Sequence, residues 1–404
     1  MNRIRLTASA IILAAAAAVS IASATADRPG DATVNTLVRG NSAFAVLLYR
    51  ELGASEGNLF FSPYSVSSAL AMAYAGAREN TAKEMKETLR FQLDEPQLHS
   101  AFKQLNQELA ANAHKAGQKV NIANGLCLTG GDVSKEFKAV LKENYDAELF
   151  AGGLDRINGW VERKTEGKID KILDTIDPNS ACVLLNAVYF KGAWEHRFKD
   201  DQTHEAPFRL SSKEEVEARL MYQKRSCQLL TKEDFQAISM PYKGGRMSMI
   251  LLLPEDVDGL AELEKQLTAE TLTQWMAELD KTPAQETELF LPKFKMETGY
   301  DLVPPFRALG MRDAFDTGGK ADFRGMGWPK GELWISQIQH KAFVEVNEEG
   351  TEAAAATAVE MQLTSARYYP VFRADHPFIF VIRDNASGGI LFMGRVADPR
   401  GNRK

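Results

Sequence analysis

Residues 350–364 restrict the fold more than any other stretch of the chain, because they carry two different kinds of side chain on alternate positions. Thr351, Ala353, Ala355, Thr357, Val359, Met361 and Leu363 form one set, which has no charge. Glu352, Ala354, Ala356, Ala358, Glu360, Gln362 and Thr364 form the other, which holds both carboxylates and the amide. A period of two is the pattern of a strand with one buried face. Alanine, however, is a poor strand residue and a good helix former, and Val359 and Leu363 also share a helical face. The residues therefore leave three conformations open: a helix, a strand, or a loop that is exposed first and becomes a strand later. Small side chains suit the third, since they present little bulk to entry between two existing strands. Gly350 at the base gives the backbone freedom to swing.

The rest of the chain divides unevenly. Early on, Val34, Leu37, Val38, Phe44, Leu47, Leu48 and Leu52 recur at helical spacing, and Gly53 can end that segment. Ser62-Pro63 is a helix start, the hydroxyl accepting a free N–H and the proline lacking one to waste; Gly76 closes the helix. Thr81-Ala82-Lys83-Glu84 matches a capping box for the next helix, with Met85 and Leu89 turned inward. Residues 183–190 are apolar and partly β-branched, a buried strand in which Asn186 is the one polar side chain. Asn186 either faces water at a strand edge or is buried and needs named partners. Segments 235–242 and 246–253 around Lys243-Gly244-Gly245 read as a hairpin, as do 378–383 and 390–396. Helices early and strands late, without β-α alternation or internal repeats, argue against a doubly wound nucleotide-binding sheet and favour an α+β fold.

Arg3 and Arg5, an apolar Ala-rich run over residues 8–21 and the small-residue site Ala24-Thr25-Ala26 spell an export signal cleaved after Ala26. A membrane anchor is the alternative reading of this run. Residues 27–404 then form a single domain of a secreted protein, extracellular or periplasmic. Every later apolar stretch is broken by charges, so no membrane partner is expected. The formal net charge of −6, with Lys and Arg scattered among acids, argues against a nucleic-acid partner. Lys115 and Lys119 near His114 come nearest to a basic patch and read as solvated surface. Cys127, Cys182 and Cys227 are odd in number. Cys127 and Cys182 stand beside apolar runs, so they read as buried thiols rather than a bridge. No cysteine has metal-ligand spacing, and no cofactor is expected.

Glu345-Val346-Asn347-Glu348-Glu349-Gly350-Thr351-Glu352-Ala353-Ala354-Ala355-Ala356-Thr357 resembles the reactive-loop hinge of inhibitory serpins. Further motifs follow in the family's order. Asn58-Leu59-Phe60-Phe61-Ser62-Pro63-Tyr64-Ser65 resembles the strand-to-helix opening. Ile157-Asn158-Gly159-Trp160-Val161 resembles the helix over the main sheet, and 185–194, from Leu185 to Trp194, the central strand motif. Leu291-Pro292-Lys293-Phe294, Ala374-Asp375-His376-Pro377-Phe378 and Phe392-Met393-Gly394-Arg395-Val396 complete the set. Glu79-Asn80, where a smaller or glycine-containing turn is usual, and Pro304-Pro305-Phe306 depart from the family pattern.

The resemblance implies mixed β-sheets, a main sheet that accepts the reactive loop (about 350–372), and about eight or nine surrounding helices. It implies a monomeric suicide inhibitor of serine endopeptidases, with cysteine endopeptidases as a second class. Gly350, Thr351, Glu352, Ala353, Ala354, Ala355, Ala356 and Thr357 would be the hinge. Ser62, Ser65, Asn186 and His340 would be a hydrogen-bonded cluster where the sheet opens, with Trp194 where insertion begins. Counting along the family's loop puts the reactive bond between Thr364 and Ser365, which suits an elastase-like or subtilisin-like enzyme. Leu363 would suit a chymotrypsin-like one, and Arg367 a trypsin-like one. The rival within the fold is a non-inhibitory carrier, storage protein or chaperone. An enzyme is the other rival, but the chain lacks a nucleophile elbow, a zinc-protease motif, a phosphate loop and a dinucleotide fingerprint.

Overall fold

The computed structural model describes residues 29–116, 118–176, 180–351 and 368–401; the export signal expected at 1–26 lies outside them. In chain order the first part comprises α1 (Pro29–Leu52), β1 (Leu59–Phe61), α2 (Pro63–Gly76), α3 (Glu79–Thr88), α4 (Glu95–Ala116), β2 (Lys119–Leu128), α5 (Lys135–Tyr145), β3 (Glu148–Phe150) and α6 (Leu154–Lys164). Strands then dominate: β4 (Cys182–Ala193), β5 (His204–Ser211), β6 (Glu214–Thr231), β7 (Phe235–Pro241) and β8 (Met247–Pro254). After α7 (Leu260–Gln266) and α8 (Ala269–Lys281) come β9 (Ala284–Pro292), β10 (Phe294–Asp301), α9 (Val303–Ala308), β11 (Ile335–Asn347) and β12 (Gly350–Thr351). The chain ends with β13 (Val371–Arg373), β14 (Phe378–Asp384) and β15 (Ile390–Val396). This is the expected α+β arrangement, helices first and strands later, with nine α-helices among the described residues.

Two sheets carry the fold. The larger runs β1-β15-β14-β8-β7-β6-β9-β13, with β5 on β6; both expected hairpins, β7–β8 and β14–β15, lie in it. The smaller, six-stranded sheet runs β10-β11-β12-β4-β2-β3. Its inner face packs on the principal core with α2 beneath, and its outer face lies under α6. Ile157, Trp160 and Val161, spaced three and one apart on α6, bury against Ala187, Tyr189 and Phe343 of that outer face. Asn158 fastens the segment after α6 to the helix, accepting the N–H groups of Ile172 and Leu173 at 2.9 and 3.1 Å.

Local signals worked where one residue could satisfy them. Ser62 caps α2, its Oγ accepting Ser65 N–H at 3.1 Å, with Pro63 in the first turn. Pro304 and Pro305 likewise sit in the first turn of α9, though its N-cap residue, Leu302, makes no side-chain bond. The capping box at Thr81 is a correction: α3 starts two residues earlier, at Glu79, and Arg78 caps it without a side-chain bond. Thr81 Oγ1 instead accepts Asp322 N–H, and the Glu84 carboxylate accepts the N–H groups of Arg312 and Asp313, so both polar groups serve a distant segment. Glu79, where a smaller residue was expected, has φ +48°, and its carboxylate pairs with Arg324 and Lys330.

All three cysteines are free and buried. The β2–β4 register sets Cys127 opposite Val183 and Cys182 opposite Leu128, so the two thiols point to opposite faces of the sheet and cannot bridge. Among the described residues no helix is long and apolar enough to cross a membrane, and no three His, Cys, Asp or Glu side chains are grouped to hold a metal.

Candidate functional site

The six-stranded sheet changes its pairing partway along. From Cys182 to Tyr189, β4 pairs directly with β11 in parallel, from Ile335 to Phe343. Above Phe343 the two strands part, and β12 comes down between them. Gly350 pairs with Asn347 and Ala193, and Thr351 with Val346 and Gly192, antiparallel on both sides. A two-residue strand thus occupies the top of a seam that is closed below.

Glycine is required at 350. Its φ of +143° disfavours any residue with a Cβ, and a Cβ there would run into the Gly192 carbonyl and stand 2.7 Å from Ala193 Cα. The turn before it is tied from several directions. Asn347 Oδ1 accepts Glu349 N–H at 3.1 Å, and the N–H groups of Trp194 and Phe198 donate to Glu349 O and Glu348 O, both at 2.9 Å. Trp194 also donates its indole N–H to Asn347 O at 3.0 Å and stacks on Tyr242 with centroids 4.6 Å apart. The Tyr242 hydroxyl lies 3.0 Å from Thr351 Oγ1, and burial pushes its pKa far up, so it stays a phenol. Burial alone would raise the Glu348 carboxyl. Lys293 Nζ at 2.6 Å and Thr203 Oγ1 at 2.9 Å outweigh that and hold it below the usual range.

Lower down, at the level where Asn186 pairs with His340, a polar cluster crosses the seam. Asn186 Oδ1 meets His340 Nδ1 at 2.6 Å. Asn186 Nδ2 donates to Ser65 Oγ and Asn124 Oδ1, both at 2.6 Å, and to Ser65 O at 3.2 Å. Ser62 N–H donates to His340 Nε2 at 3.2 Å, and Ser62 Oγ to Leu391 O at 2.6 Å. Nε2 faces a backbone N–H and must be the acceptor, so the proton sits on Nδ1, pointing at Asn186. Asn186 and His340 are completely buried, which rules out the exposed-edge and strand-end alternatives. Burial lowers the His340 pKa to about 3, so the ring is neutral. A second proton would point Nε2–H at the Ser62 N–H.

The structure thus brings Ser62, Ser65, Asn186 and His340 into one network, with Trp194 above them at the parted end. Gly350 and Thr351 stand at the mouth of the seam. Hinge residues Glu352 to Thr357, the expected bond at Thr364 and Ser365, and the alternatives Leu363 and Arg367 lie outside the described residues. Beyond them Tyr368 is fully exposed and leads to β13. Sequence reasoning missed Asn124, Tyr242, Lys293 and Glu348 as parts of the site. Asn124 carried a usable signal, a polar residue in the apolar run toward Leu128, much as Asn186 did. Lys293 and Glu348 stood inside the family motifs with nothing to mark them as partners, and Tyr242 had no signal, since the groups they meet lie elsewhere in the chain.

Comparison with known proteins agrees with this geometry. The family profile described as "Serpin (serine protease inhibitor)" matches residues 39–399. A leukocyte elastase inhibitor from Equus caballus is 41% identical over 385 residues, covering 90% of this chain and 99% of that protein. Serpin B6 from Pongo abelii is 40% identical, covering 91% of this chain and 100% of its own length. Among solved structures, the thermophilic serpin tengpin in the native state superposes with a TM-score of 0.81 at 29% identity, covering 89% of this chain and 94% of that one. Uncleaved ovalbumin does so with a TM-score of 0.78 at 30% identity, covering 90% and 100%.

Proposed function

The chain belongs to the serpin family, and from that premise we propose that it inhibits serine endopeptidases as a suicide substrate, by inserting its cleaved loop into the main sheet. It is an inhibitor rather than an enzyme. The observation that carries the mechanism is β12: the hinge already begins the missing central strand, in register with both neighbours. The protease serine Oγ attacks the Thr364 carbonyl carbon, and the Thr364–Ser365 peptide bond breaks. The Ser365 nitrogen leaves with a proton as a free amine, and Thr364 remains as an ester on the protease. Freed at that end, the loop extends β12 downward and drags the acyl-enzyme along.

Continuing the register of Gly350 and Thr351 step by step supports this reading. Six steps from Thr351, opposite Gly192 and Val346, bring Thr357 between Asn186 and His340. Eleven steps bring Gln362 opposite Ile335, where β11 begins. An insert of this length replaces the whole direct β4–β11 ladder and ends just short of Thr364. Thr351 is buried against Tyr242, so every second residue after it, through Ala353, Ala355 and Thr357 to Leu363, takes the core-facing side. That is the uncharged set of the alternation. Two antiparallel ladders replace one parallel ladder of eight residue pairs, a net gain on the order of ten hydrogen bonds. At about 1 kcal/mol net each, the gain is roughly 10 kcal/mol, comparable to the stability of an ordinary domain.

The relatives named as elastase inhibitors and the small Thr364 favour an elastase-like target, with subtilisin-like and chymotrypsin-like enzymes next. We place the protein outside the cytoplasm on the N-terminal export signal, which a mature N-terminus at Asp27 would bear out, and we expect a monomer from the family resemblance. The deciding experiment mixes the protein with elastase-like, subtilisin-like and trypsin-like proteases. A covalent complex that survives denaturant, with the released peptide starting at Ser365, is expected. Cleavage without a complex and without a rise in heat stability would leave the non-inhibitory carrier or storage reading.

A further inference from the structure

Strand β6 changes partner along its length: residues 220–228 pair with β9, and 229–231 with β7. The fork between β7 and β9 holds an open pocket of about 420 Å³, bordered by Asp280 at the end of α8 and by Arg383 and Asn385 of the β14–β15 hairpin. No step of loop insertion uses it.

Arg225 projects into this pocket and is only 9% exposed. Its Nη2 donates to Ser239 O at 3.2 Å. Nε and Nη1, which carry three of the five guanidinium N–H bonds, are buried and have no oxygen or nitrogen acceptor. Burial lowers the Arg225 pKa, and the group that offsets this is the Cys227 thiol, whose sulfur is a weak acceptor. Asp280, the one acid among the lining residues, is engaged by Arg383, which also donates to Asn385 Oδ1 at 3.0 Å. Ser239 and Ser248 add hydroxyls to the wall. Ser248 Oγ accepts Asn385 Nδ2 at 2.8 Å, which leaves its own O–H to donate. A buried guanidinium with open N–H bonds, flanked by hydroxyl donors, is matched by a ligand that brings negative charge and several acceptor oxygens.

We infer that the β7–β9 fork is a binding site for a small oxyanion, a phosphate, sulfate or carboxylate group seated on Arg225 and the hydroxyls of Ser239 and Ser248. Inorganic phosphate, sulfate and acetate, titrated separately into the full-length protein by calorimetry at fixed ionic strength, test this and distinguish the head groups. One-site, saturable binding of at least one probe is expected, weakened at least about tenfold in Arg225→Met, or about 1.4 kcal/mol. Ser239→Ala keeps the backbone carbonyl and the fold, and should weaken binding by about fivefold, one ordinary hydrogen bond. No uptake of any probe by the wild type would overturn the site, and so would binding unchanged in both variants, which would mean surface ions only.

Discussion

Replacing Asn186 with alanine tests the cluster under the seam most directly. The amide makes three donor contacts, to Ser65 Oγ, Ser65 O and Asn124 Oδ1, and accepts from His340 Nδ1. Truncation leaves His340 Nδ1–H and Asn124 Oδ1 buried without partners, while the Ser65 hydroxyl can rotate to another acceptor. Two orphaned groups at about 1–3 kcal/mol each cost the native state roughly 2–6 kcal/mol. The inserted state suffers less, because Thr357 then stands between β4 and β11 and its hydroxyl can accept from His340. The wild type must also break the Asn186–His340 bond to admit a strand, since each added strand parts its neighbours by about 4.8 Å. The variant has no such bond to break. If the bond is fully lost at the barrier, spontaneous insertion accelerates by the 1–3 kcal/mol assigned to it, about 5- to 150-fold. The assay warms both proteins mildly and follows loss of inhibitory activity and the appearance of polymers on native gels. An unchanged rate, with the expected loss of native stability, would refute the idea that this network restrains the seam.

Other perturbations separate the parts of the site. His340 stays neutral down to about pH 3 in the fold, whereas its unfolded ring takes a proton near 6.5. Stability supplied by this group is therefore complete above pH 6.5 and falls with acid by about 1.36 kcal/mol per pH unit, until pH 3. Denaturant titrations of wild type and His340→Gln should diverge by that slope; the parallel effect of His99, lowered to about 4 by burial, remains in both. Equal slopes would remove His340 from the argument. Gly350→Val cannot keep its place beside Gly192 and Ala193, so the hinge should leave the sheet and shift Trp194 fluorescence. The loop should then be cut with little protease trapped, and an unaltered inhibition stoichiometry would show that β12 is dispensable. Lys293→Met removes the stronger partner of Glu348, whose desolvation then dominates and raises its pKa. A loss of about 1–3 kcal/mol at neutral pH is expected in the first unfolding transition, and an unmoved midpoint would contradict it.

Much of this was legible in the chain. Ser62-Pro63 marked a helix start because capping is local, one hydroxyl meeting an N–H three residues on. Residues 183–190 read as a buried strand, and Asn186 stood out because a polar group inside an apolar strand must find partners. The same local logic failed at Thr81 and Glu84, whose polar groups look like a reciprocal cap but bind backbone more than two hundred residues away. Lys293 and Glu348 gave no warning for the same reason: each is an ordinary charge until the other is brought to 2.6 Å.

The residues alone determined that 350–364 has two faces, one small and uncharged, because side chains alternate along an extended chain whatever surrounds it. Which face a proposed insert would turn inward, how far it could run, and what it would displace depend on the folded sheet. Those answers depend on β4 and β11 lying side by side in parallel with Thr351 already seated between them, contacts between segments some 150 residues apart. Periodicity fixes the relation of a residue to its near neighbours; register across a seam is a relation between strands, and it exists only once the intervening chain has brought them together.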